Sequence, residues 1–153
     1  MSALGIWMNG QRAAAWTYTR GGHELRYETS WVESPDGRAL SLSLPFTPGN
    51  VSQRGAVVEN FFDNLLPDSD RIRRRLRTKF GTGSTEAFEL LTAIGRDCVG
   101  AIQLLPPDQS PTGWDRIEAE PLTEQEAERA IDAMLTGGRT LGQEENAEFR
   151  ISI

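Results

Sequence analysis

The chain has 153 residues, a formal net charge of −6 and 38% hydrophobic residues. That length and apolar content support a core in one domain, or in one domain with an appendage, and exclude a disordered or collagen-like polymer. No apolar run is long enough to span a bilayer, and the N-terminus lacks the charged-then-apolar order of a secretory signal, so the expectation is a soluble cytoplasmic protein with no membrane partner. One cysteine, Cys98, and one histidine, His23, exclude an internal disulfide framework and leave too few soft ligands for zinc, so no metal site is expected.

The first third reads as β. Ile6-Trp7-Met8, Asn9-Gly10 and Arg12 to Tyr18 form a hairpin signal, because a type I′ turn needs positive φ at both central residues and Asn-Gly supplies it cheaply. Gly21-Gly22 marks the next turn, followed by a predicted strand from Glu24 to Val32 and another at Leu40-Ser-Leu-Ser-Leu44, where apolar and polar residues alternate.

The period then changes from two to 3.6. Val57, Val58, Phe61, Phe62, Leu65 and Leu66 predict a helix stopped by Pro67, and Asp68 or Ser69 can cap a second helix with Ile72, Leu76 and Phe80 on its apolar stripe. Phe88, Leu90, Leu91 and Ile94 give a third stripe ending at Gly95. Val99 to Leu105 reads as a strand stopped by Pro106-Pro107, and a polar loop covers Asp108 to Gly113. Thr123-Glu124-Gln125-Glu126 fits a capping box, with Ala127, Ala130, Ile131 and Met134 expected on the helix's inner face and Gly137-Gly138 closing it. The chain ends on Phe149-Arg-Ile-Ser-Ile153, an alternating β-like pattern. The fold class is therefore α+β, an antiparallel sheet followed by short helices.

Charge is unevenly divided. Residues 1–80 carry 11 basic and 8 acidic side chains, residues 81–153 carry 5 and 14, and Lys79 is the only lysine. The arginines at 71, 73, 74, 75 and 77 could contact nucleic-acid phosphates, with Arg73, Arg74 and Arg77 as candidates. A solvated helix face beside Glu59, Asp63, Asp68 and Asp70 is the simpler reading, since a chain with pI near 4.9 is not a general DNA binder. Glu144, Glu145 and Glu148 sit in a Gly- and Gln-containing stretch that suits solubility better than paired-carboxylate catalysis. His23 and Cys98 could form a base and nucleophile only if brought together in space, and Cys98 reads better as a small buried residue. Trp7, Trp16 and Trp31 read as core or sheet-face residues rather than a ligand cage.

Glu59-Asn-Phe-Phe-Asp-Asn-Leu-Leu-Pro-Asp-Ser69, Leu40-Ser-Leu-Ser-Leu-Pro45, Ile94-Gly-Arg-Asp-Cys-Val-Gly-Ala101 and Phe149-Arg-Ile-Ser-Ile153 together resemble the N-terminal region of HipA-type toxins, the serine/threonine kinases of HipBA toxin–antitoxin systems. The resemblance runs from Trp7 to Ile153. It implies a HipA N-terminal lobe over residues 1–107 and a connecting segment over 108–153, with one helix and a terminal strand that leads to a kinase domain absent from this chain.

The resemblance further implies ATP and Mg in the full-length family, no cofactor and no catalytic residue in this chain, and Ser152 as the autophosphorylated serine. Phosphorylation there would add about −1.5 to −2 charge. Implied partners are a HipB-type antitoxin, the remainder of the kinase in cis or trans, and operator DNA reached through the antitoxin. The implied activity is phosphorylation of a translation-related target such as glutamyl-tRNA synthetase, which arrests growth and promotes persistence. A free-standing HipS-like lobe that restrains a separate kinase subunit is the alternative. Since the chain stops one residue after Ser152, a truncated toxin, a fragment or one half of a split kinase is expected, with Leu141 to Ile153 mobile unless another chain supplies strands.

Overall fold

The computed structural model describes residues 2–98, 101–115 and 121–137. A five-stranded antiparallel sheet forms from β1 (Ser2–Met8), β2 (Gln11–Thr19), β3 (Gly22–Tyr27), β4 (Gln53–Arg54) and β5 (Gln103–Leu105), in the order β4-β3-β2-β1-β5. The β1–β2 turn is built as the sequence predicts, with Asn9 at φ 49° and Gly10 at φ 73°. A bulge between Ile6 and Trp7 shifts the register once, pairing Ile6 with Ala14 and Trp7 with Arg12.

One face of the sheet carries the core. Leu4, Ile6, Ala14, Trp16, Leu25 and Leu104 are all buried and sit opposite one another across the strands. Helices α2 (Ala56–Asp63), α3 (Asp70–Phe80) and α4 (Ala87–Ile94) supply the facing layer through Val58, Phe62, Leu76, Leu90 and Leu91. Trp16 lies flat on Phe62, ring centroids 3.8 Å apart, and meets Phe88 edge-on at 4.7 Å. Trp31 is buried too, and Trp7 is partly buried.

Several expectations are corrected. The strand expected from Glu24 to Val32 runs instead from Gly22 to Tyr27, and Thr29–Val32 forms a short helix, α1, which turns Trp31 into the core with its indole N–H on the Arg38 carbonyl at 2.9 Å. Leu40 to Leu44 is not a strand but a turn closed by a single Ser41–Leu44 bridge. Its backbone is satisfied by the Tyr27 hydroxyl, which accepts from Leu40 N and donates to the Leu44 carbonyl. Leu44 is buried and Leu40 packs partly buried against the core, while Leu42 is fully exposed, so the alternation records a turn anchored at its two ends rather than a pleat.

Helix α2 ends at Asp63, before the predicted stop. Proline disfavours helical backbone at Leu66 and its ring would meet the carbonyl of Asp63, so residues 64–66 wind as tighter turns with Leu65 N on Phe62 O and Leu66 N on Asp63 O. In α3 only Leu76 of the expected stripe is buried, Phe80 is half-buried and Ile72 is exposed, because the helix docks by its second half. The β5 strand is shorter than predicted, since Ala101 and Ile102 lie outside it.

Helix α5 (Glu124–Gly137) starts at the predicted capping box. The Thr123 hydroxyl and N–H both donate to Glu126, at 2.7 and 2.8 Å. Ile131 is exposed rather than inward-facing. The expected terminal strand and Ser152 lie outside the described residues.

Candidate functional site

The motif at residues 59–69 forms the corner between α2 and α3. Phe62 enters the core against Trp16, and Phe61 packs at right angles to it. Asp63, one turn of chain before Pro67, grips Arg73: the guanidinium reaches both carboxylate oxygens at 2.6 and 3.1 Å, and Arg73 Nε donates to the Pro67 carbonyl at 2.7 Å. Arg73 is thereby half-buried and its own pKa is raised, chiefly by the hydrogen bond to Asp63.

The other predicted cations are placed differently. Arg74 is exposed and faces the equally exposed Asp70 at 4.0 Å, a separation worth little in water. Arg71, Arg75 and Arg77 are exposed and form no ion pair among the described residues. The sequence therefore offers five similar arginines, and the corner geometry separates one from the rest. A usable signal existed: Arg73 stands three residues before Leu76, on the flank of the buried face.

His23 and Cys98 are not brought together as a pair. His23 Nδ1 accepts from the Trp16 indole at 3.2 Å, its ring stacks on Tyr18, and Nε2 lies 3.8 Å from Glu59. The Cys98 thiol donates to the Gly95 carbonyl, and burial pushes its pKa up to about 12, which leaves it protonated and unreactive at neutral pH.

The motif at 94–101 packs against the sheet edge. A Cβ at Gly95 would come within 2.7 Å of the Leu104 Cβ, so only glycine allows the turn to close there. The same turn borders a pocket of about 250 Å³ lined by Trp7, Arg96, Cys98, Gln103 and Trp114. Sequence reasoning missed this pocket because Trp114, just after the polar loop, folds back over Gly10 at the hairpin turn. Among the described residues no cluster of His, Cys, Asp and Glu could hold a metal ion, and no helix is long and apolar enough to cross a membrane.

The model of the HipA N-terminal domain matches residues 4–105, about two thirds of the chain. The chain belongs to the HipA family. Two Sinorhizobium fredii (strain NGR234) proteins whose names read "Putative kinase", Y4mE and Y4dM, are similar to this HipA-family chain. Y4mE is 34% identical over 152 residues, covering 92% of this chain and 34% of Y4mE. Y4dM is 28% identical over 135 residues, covering 79% of this chain and 32% of Y4dM. The chain thus spans about a third of the length of these relatives. The same fold occurs in Shewanella oneidensis MR-1 HipA, solved with HipB and its operator DNA, at a TM-score of 0.62 and 21% identity over 84% of this chain and 29% of that one.

Proposed function

We propose that this lobe is the N-terminal part of a HipA-type toxin, a protein serine/threonine kinase that phosphorylates a translation-related target such as glutamyl-tRNA synthetase and is neutralised in the cytoplasm by a HipB-type antitoxin. The observation that carries the reading is the family match over residues 4–105, on a chain aligned along almost its whole length with a kinase-named relative.

In this reading the lobe contributes binding surface and the chemistry lies elsewhere. Phosphoryl transfer depends on positioning and on neutralising charge at the phosphates, and the lobe's buried thiol offers no nucleophile for it. ATP and Mg²⁺ are held by the kinase domain, and Ser152 is the residue that domain phosphorylates to switch itself off.

The test pairs this chain with the kinase domain of the same gene or of its neighbour, and with the cognate HipB-type antitoxin. The joined protein is expected to transfer phosphate from Mg-ATP to Ser152, the chain alone to transfer none, and the antitoxin to bind the joined protein. A joined protein that folds but neither labels Ser152 nor binds the antitoxin contradicts the reading.

A further inference from the structure

Six cations crowd α3, and known forces account for only half of them. Arg73 is committed to Asp63 and Pro67. Arg77 and Lys79 lie in the last turn, where the negative end of the helix dipole favours cations. Arg71, Arg74 and Arg75 have no such reason to be there. Arg71 is the second residue of the helix, beside the positive end of the dipole, and repels Arg74 and Arg75 at spacings of three and four, where like charges weaken a helix. Asp70 offsets Arg74 only at 4.0 Å, with both side chains exposed to water.

These three share one face. At 3.6 residues per turn, Arg71, Arg74, Arg75 and Thr78 fall on the side opposite Leu76 and Phe80, the side chains that dock α3 on the core. The outward face is thus a compact row of three arginines and Thr78, with Asp70 at its edge beside Arg74. A planar, permanently charged guanidinium suits bidentate contact with phosphate oxygens.

We propose that Arg71, Arg74 and Arg75 form a docking surface for the phosphate backbone of duplex DNA. Charge complementarity selects a polyanion. The absence of any aromatic on that face selects a duplex backbone over an unstacked single strand, which needs rings to stack on. The chain's net charge of −6 does not forbid this, because charges beyond about 10 Å are largely screened at 0.1 M salt. Three contacts give only weak, sequence-independent binding, so the row acts as an auxiliary grip when another protein holds the lobe beside DNA. This last role rests on the HipA-type reading, whereas the binding itself does not.

The test measures binding of the whole chain to a random-sequence duplex of about 20 base pairs by fluorescence anisotropy across a salt series. For three phosphate contacts, a fourfold rise in salt weakens binding roughly 40-fold. The variant Arg71→Gln/Arg74→Gln/Arg75→Gln is expected to keep the unfolding midpoint and to lower the salt slope by roughly 0.9 for each arginine removed. Arg73→Gln is expected to do the reverse, lowering the midpoint and leaving the slope. An equal slope in the triple variant and the wild type, an equal loss in Arg73→Gln, preference for single-stranded RNA, or displacement by polyglutamate as readily as by DNA overturns the proposal. Since neither antitoxin nor kinase domain is present, failure here leaves the HipA-type reading to its own test.

Discussion

The sheet-and-helix lobe up to Leu105 and the helix α5 are held together by different means. In the lobe, Trp16, Trp31, Phe62, Leu90 and Leu104 are almost wholly buried, each brought from a different element. In α5 every side chain described within the helix is exposed apart from the half-buried Ala127, and the visible support is the capping box at Thr123. A helix of 14 residues sits near the length at which isolated helices are marginal in water. The lobe is a cooperative object built from tertiary contacts, while the contacts described for α5 are local ones.

Breaking the lobe should therefore leave α5 little changed. Trp16→Ala removes the ring that stacks on Phe62 and meets Phe88 edge-on, and a loss of about 3–5 kcal/mol is expected in denaturant unfolding. Gly95→Ala drives a methyl into Leu104 and is expected to cost about 1–3 kcal/mol by the same measurement. Arg73→Gln opens the corner between α2 and α3. Because Asp63 is 44% exposed, the expected loss is about 1–2 kcal/mol, against under about 0.5 kcal/mol for Arg74→Gln.

The smallest effects concern α5. Thr123→Ala is expected to lower helical circular dichroism while leaving the lobe's unfolding midpoint in place. Donation from the Thr123 hydroxyl, then from its N–H, holds the Glu126 carboxyl below its ordinary value of 4.5. A depressed carboxylate contributes above its unfolded pKa and loses that contribution as pH falls through the folded one. Helical signal from α5 should hence decline on acidification below about 4.5, and this extra decline should shrink in Thr123→Ala, where only the backbone N–H of residue 123 is left to donate to Glu126.

How much of this was legible in the sequence depended on the range of the forces involved. The Asn9-Gly10 turn, the start of α5 at Thr123 and the end of α4 at Gly95 follow from local backbone chemistry and are found where expected. Leu40 to Leu44 was misread because its alternation is satisfied by the Tyr27 hydroxyl, from a strand more than ten residues away, rather than by a neighbouring strand. Thr29–Val32 escaped for a similar reason: Trp31 reaches the core equally well from a strand or from a helical turn, and its indole partner at Arg38 is not visible in a pattern of apolar residues. The arginine run was legible as charge, but the distinction between Arg73 and its neighbours needed the position of Asp63 across a proline corner.

Native-state hydrogen exchange on the whole chain tests the central claim, that the sheet and the helices packed on it form one cooperative HipA-family lobe, apart from α5, whose described contacts are local. Amides of β1 and β2, those of Leu4, Ile6 and Trp16 among them, should exchange only through global unfolding, and α5 amides orders of magnitude faster through local opening. Protection of α5 equal to that of β1 and β2, lost together with theirs in Trp16→Ala, would contradict the account.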